Sequence, residues 1–288
     1  MGRGNCALCV LPLAAMAGAA FVEPAFAEES QAIVGGVSTA EGEFPATGML
    51  LKGRRYRCTA TLIAPDVALT AAHCLGETGF GEFAFSLDRD MSDLEASDPI
   101  PVIAYHRHPD YQEQDKPTDI AHVNDVAVVI LQWPVTGVPV EQLYTPNLPA
   151  FFGSGTELGL CGYGITEWYE RSSVGIQRTA RVVIDQVADY EMRIAAENPQ
   201  PCLGDSGAPL FVDTAAGRRI AGVVVRAVGE TLHCDNGAIA TRIEPYSDWI
   251  ERASLDHEMA CAAGGRAPSP IALALLALFV LLRARRRN

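Results

Sequence analysis

Cys202-Leu203-Gly204-Asp205-Ser206-Gly207-Ala208-Pro209 sets a serine between two glycines, with an aspartate directly before it. Glycine reaches backbone angles closed to other residues and lets another molecule approach the main chain closely. A serine hydroxyl is a weak nucleophile until a base takes its proton and donors receive the charge that develops. The stretch therefore asks for a histidine base and for a carboxylate to orient it.

Both lie upstream. Thr70-Ala71-Ala72-His73-Cys74 places a histidine after the apolar run Val67-Ala68-Leu69. Asn124-Asp125 places an aspartate at the head of Val126–Leu131, a run apolar on both faces that reads as a buried strand. The order His, Asp, Ser in these contexts resembles the chymotrypsin-like (trypsin-family) serine endopeptidases; unrelated folds carry the same three residues in other orders. Ile33-Val34-Gly35-Gly36, Cys58, Gly162-Tyr163-Gly164, Cys202 with Cys234, and Tyr246-Ser247-Asp248-Trp249-Ile250 extend the resemblance from about Ile33 to about Arg252.

The resemblance implies an all-β fold of two six-stranded antiparallel β-barrels with a short C-terminal helix at Ser247–Ala253. The residues agree: Ala46–Leu51, Arg57–Ile63 and Val67–Ala71 are short β-rich runs divided by Gly and Pro. Pro- and Gly-rich 132–155 reads as the crossover between the two barrels. The resemblance further implies that His73 is the general base, Asp125 orients it, Ser206 attacks, and the Gly204 and Ser206 amides hold the oxyanion. It places disulfides at Cys58–Cys74 and Cys202–Cys234, and leaves Cys161 as a buried free thiol. Cutting before Ile33 would free an α-amino group to pair with Asp205. Ala32, and not Arg or Lys, precedes that bond, so the activating protease is not expected to be trypsin-like.

Several positions depart from the family. Gln200 stands at the floor of the primary specificity pocket, where trypsin-like members carry Asp, and Ala227 and Ala238 fall at its walls. A neutral floor between small walls suggests an uncharged substrate residue. Val225-Arg226-Ala227 replaces the usual Ser-Trp-Gly, which points to an altered preference at the second to fourth substrate side chains. Tyr163 replaces a Trp, and Ala208 a Gly. His106, His108 and His122 with Asp110 and Asp119 match no standard zinc spacing, so no metal and no cofactor is expected.

The ends of the chain point to export. Arg3, the apolar run Ala7–Val22 and Ala25-Phe26-Ala27 form a secretory signal peptide over 1–27, followed by a short pro-segment at 28–32. The protease domain spans 33–253 and a linker 254–270. Residues 271–288 join a short apolar run to Arg283, Arg285, Arg286 and Arg287. That tail resembles bacterial C-terminal sorting tails of the myxobacterial type, with Cys261 as the processing or lipidation mark, and a thin permanent anchor is the alternative. The product would sit at the cell surface or be released after tail processing. A net charge of −13 disfavours nucleic acid and anionic surfaces. Expected partners are a protein or peptide substrate, an activating protease and the membrane through the tail. The alternative function is a catalytically silent binding or regulatory module on the same fold, since fold alone does not fix activity; silent members usually lose a member of the triad, and all three are present here.

Overall fold

The computed structural model describes residues 33–76, 80–95, 97–112, 117–166, 173–197, 199–229 and 234–264. The signal peptide, the pro-segment and the apolar Arg-rich tail lie outside the described residues.

Among the described residues thirteen strands follow in order: β1 Val37–Ser38, β2 Thr47–Lys52, β3 Arg55–Ala64, β4 Val67–Thr70, β5 Phe83–Ser86, β6 Ile100–Arg107, β7 Ala127–Leu131, β8 Glu157–Gly162, β9 Arg178–Val187, β10 Glu191–Ile194, β11 Pro209–Thr214, β12 Gly217–Ala227 and β13 Ala238–Arg242. The first barrel closes as β2-β3-β4-β7-β6-β5. The second runs β9-β10-β13-β12-β11-β8 and closes because β8 pairs back to β9, with β1 added outside on β9. All pairings between neighbouring strands are antiparallel. Closure leaves neither barrel with an open edge to recruit another chain. This is the architecture expected from the sequence.

β7 shows why the apolar runs become strands. Ala127, Val128, Val129, Ile130 and Leu131 are all buried, in a strand that closes the first barrel and packs against the C-terminal helix. Burying these side chains contributes on the order of 10 kcal/mol gross, before chain entropy is subtracted. The first core centres on Leu50, Leu62, Leu69, Phe85 and Ile130 and reaches across to Phe211 and Val223 of the second barrel. The second core gathers Leu158, Leu160, Ile184, Met192, Leu210 and Val224.

The helix α1 runs Ser247–Gly264, longer than the segment read from the sequence and continuing into the stretch taken as a linker. Ile250 and Ala253 are buried against the first barrel. No helix among the described residues is long and apolar enough to cross a membrane. Two disulfides form where expected: Cys58–Cys74, Cα–Cα 6.1 Å, and Cys202–Cys234, Cα–Cα 5.2 Å. Cys161 is a buried free cysteine, and burial pushes its thiol well above the usual range.

Candidate active site

His73 sits in a short 3-10 turn, Ala72–Cys74, at the end of β4. The disulfide to Cys58 fastens this turn to β3. Arg57 adds donations to the His73 and Cys74 carbonyls, at 3.2 and 3.3 Å. Asp125 lies just before β7 and is 5 % exposed. One carboxylate oxygen accepts from the His73 backbone N–H at 3.0 Å, and the other lies 2.8 Å from His73 Nδ1. A carboxylate on Nδ1 holds the proton there and leaves Nε2 as the acceptor.

The placement of Asp125 depends on a residue that the sequence reading passed over. Asn124 has φ 57°, the left-handed region that asparagine tolerates better than most side chains. Its Nδ2 donates to the Asp110 carbonyl, and its Oδ1 accepts from the Tyr246 hydroxyl, both at 3.0 Å. Thr241 Oγ1 donates to the Asp125 carbonyl, also at 3.0 Å. Asn immediately before Asp, at the head of a buried strand, was the available signal.

Ser206 is stitched into both barrels. Its carbonyl accepts from Thr59 N on β3 at 2.8 Å, and Thr59 O in turn accepts from Thr70 Oγ1, on the strand that leads to His73. Gly207 N donates to Val224 O, and Val224 N to Ala208 O, anchoring the turn to β12. Gly207 is obligatory: φ is 83°, and a Cβ there would run into the Thr59 carbonyl and Thr70 Oγ1.

Two peptide N–H groups of this turn have set directions. Leu203 O accepts from Ile165 N at 2.8 Å, and Asp205 O accepts from Ala208 N at 2.8 Å. In a planar trans peptide the N–H points opposite to the C=O. The Gly204 and Ser206 N–H groups are therefore aimed away from those two bonds. Tyr56, another residue missed from the sequence, donates its hydroxyl to Gly204 O and so fixes the following peptide plane.

Asp205 is fully buried. Its carboxylate accepts from Gly164 N and Cys202 N, each at 2.9 Å. Desolvation dominates those bonds and the field of nearby Arg178, and raises its pKa to about 7. Gly164 makes the close approach possible, since a Cβ there would sit 2.6 Å from the Asp205 carboxyl carbon. Ala208, unusual for the family, is buried in the second core with its methyl over Gly162. Ile33 is also buried, with φ 56°, and Val34 bridges Gln200.

Gln200, Ala227 and Ala238, expected from the sequence to line the specificity pocket, are linked through the start of β13. Gln200 is 4 % exposed, and its Oε1 accepts from Gly237 N at 2.8 Å. Ala227 and Ala238 face each other across β12 and β13. The histidines of the 106–122 region go to separate places. His108 packs against Tyr246 and Trp249, and His122 stacks flat on Tyr190 with centroids 3.6 Å apart. One grouping, Cys58, His73 and Cys74, brings possible ligand atoms close, but both sulfurs are spent in the disulfide.

Comparison with known proteins agrees with the two-barrel fold. Residues 33–250 match the family model Trypsin. The chain is 27 % identical over 236 residues to brachyurin of Leptuca pugilator, covering 76 % of this chain and 97 % of that one. It is 26 % identical over 267 residues to human granzyme M, covering 85 % and 97 %. The structure of neuropsin, a serine protease expressed in the limbic system of mouse brain, superposes with a TM-score of 0.61 at 21 % identity, covering 76 % of this chain and 99 % of that one. A family model spanning most of the chain, on two closed barrels that carry His73, Asp125 and Ser206, leads to one conclusion: the chain belongs to the trypsin family and is a serine endopeptidase.

Proposed function

We propose that the chain is an exported endopeptidase that cleaves after an uncharged side chain, and that Ser206, His73 and Asp125 perform the chemistry. The paired bonds from His73 N and Nδ1 to the Asp125 carboxylate carry the reading. With Nδ1–H held by Asp125, Nε2 takes the Ser206 proton as Oγ attacks the substrate carbonyl. The oxyanion is received by the Gly204 and Ser206 N–H groups, whose directions follow from their bonded peptide carbonyls; one such donor is worth about 3–4 kcal/mol elsewhere. His73 then returns the proton to the leaving amine, the acyl-enzyme remains on Ser206, and water releases it by the same steps in reverse.

Gln200 places no charge at the pocket floor, and Ala227 and Ala238 give it small walls. Activation follows from cleavage before Ile33. A positive φ is costly for a β-branched residue because the preceding carbonyl crowds its Cβ, a strain of about 1–3 kcal/mol. Cutting the Ala32–Ile33 bond removes that carbonyl and creates an ammonium group, the partner that buried Asp205 calls for. Export by the signal peptide and retention by a processed tail at Cys261 complete the proposal.

Labelling with a fluorophosphonate, on protein beginning at Ile33 beside a form retaining Glu28–Ala32, tests it. Label on Ser206 in the trimmed form alone is expected. Label in both forms discards the activation step. No label in either, on folded protein, replaces the enzyme reading with a silent binding module.

A further inference from the structure

Arg226 is the position where the sequence breaks most sharply with its family, and the side chain does not stand free in the cleft. A β-bulge between Val224 and Arg226 shifts the register of β12 against β13 and re-aims the residues that follow. The Arg226 guanidinium then meets Glu191 of β10 in a two-pronged pair: NH1 to Oε1 at 2.8 Å and NH2 to Oε2 at 2.6 Å. Glu191 is 1 % exposed and the Arg226 side chain 15 %, so the pair neutralises itself largely out of contact with water. Nε also donates to Pro117 O at 3.0 Å, and NH2 to Asp119 O at 2.7 Å. Glu191 Oε2 accepts from Ala121 N at 2.7 Å, and Gly229 N donates to Thr118 O at 2.8 Å.

These bonds all grip one segment, 117–121, which belongs to the first barrel and leads directly to His122, Asn124 and Asp125. The gripping residues belong to the second barrel. They flank the strand edge Val225–Ala227, which continues from the residue bonded to Gly207 beside Ser206. On the peptidase reading above, an extended peptide on the amino side of the scissile bond would pass between that edge and the 117–122 segment.

We propose that Arg226 and Glu191 form a latch that closes the 117–121 segment onto the second barrel and so sets selectivity for the second to fourth residues before the scissile bond. This rests on the peptidase reading above. The latch makes two demands. Arg226 does not select acidic substrate residues, because Glu191 already holds its charge. Bulky side chains are excluded, because the closed segment fills the space that an open cleft would offer. Arg226 and Glu191 are positioning residues; neither takes part in bond cleavage.

The test profiles the activated full chain on a peptide library randomised at those three positions, with fluorophosphonate labelling of Ser206 counted in parallel. Wild type is expected to favour small side chains and to show no enrichment of Asp or Glu. Glu191→Gln leaves the guanidinium without a countercharge, and acidic side chains should then rise at least about tenfold. If Glu191→Gln does not fold, the double variant Glu191→Met/Arg226→Met removes both charges together, a change that buried pairs often tolerate. It should accept bulky side chains at those positions, with turnover counted per labelled Ser206. Acidic selection by the wild type, or an unchanged profile in the folded single or double variant, overturns the latch. Absence of label on the folded wild type overturns the peptidase reading instead.

Discussion

The charge state of Asp205 offers a quantitative test of how this chain switches on. A carboxyl whose pKa is higher folded than unfolded binds more protons in the folded state. Its burial therefore favours folding at acid pH, and that advantage is lost as pH rises through the folded value. For Asp205 the window runs from the ordinary value of 3.8 to about 7. Each tenfold in acidity is worth about 1.4 kcal/mol, so the uncut protein should lose up to about 4 kcal/mol of stability across that window relative to one in which Asp205 is unperturbed. The amino group freed at Ile33 is a cation until its own titration near pH 8, and pairing with it should return much of that loss. The perturbation is cleavage before Ile33, and the assay is the calorimetric melting temperature of cut and uncut protein between pH 4 and pH 8. Near pH 4, where Asp205 is largely protonated, the two forms should melt close together apart from the relief of strain at Ile33. At pH 7.5 the cut form should melt about 5–10 °C higher, as 2–4 °C per kcal/mol is usual for a domain of this size. A difference that stays constant from pH 4 to pH 7.5 would refute the pairing. In the uncut protein, Asp205→Asn should abolish most of the loss between pH 4 and pH 7.5.

Three further outcomes are expected. Asp125→Asn should lower kcat by about 10⁴, with the fold intact by circular dichroism, because the imidazole would be held in the wrong tautomer. Asn124→Ala should cost about 1–3 kcal/mol in urea unfolding and should lower kcat as well; it removes bonds to Asp110 and Tyr246 and leaves φ 57° to a side chain with no polar group to compensate. Cys161 should resist iodoacetamide until the protein unfolds.

The two barrels and the positions of His73, Asp125 and Ser206 were legible in the chain. The alternation of short β-rich runs with Gly and Pro marks strands and turns locally, and each of the three residues sits in a distinctive local context. The disulfide partners followed from the same resemblance. Gln200, Ala227 and Ala238 were named from the same resemblance; Gln200 bonds Gly237, and Ala227 pairs with Ala238.

Other features depend on residues far apart in sequence and were decided only when the chain closed on itself. Tyr56 reaches Gly204 across 148 positions, and nothing near either residue marks the pairing. Arg226 looked like a residue facing the substrate. Its partner Glu191 lies 35 positions earlier on β10 and is buried only because β10 and β12 both flank β13. The pattern of a strand determines which face a side chain takes, but a bulge such as that at Val225 resets the pattern, and its presence depends on the register of the neighbouring strand. The helix continues to Gly264 although its composition resembled a linker. Local propensity can therefore propose the strands and the catalytic residues, whereas burial and long-range hydrogen bonding determine which polar side chains meet.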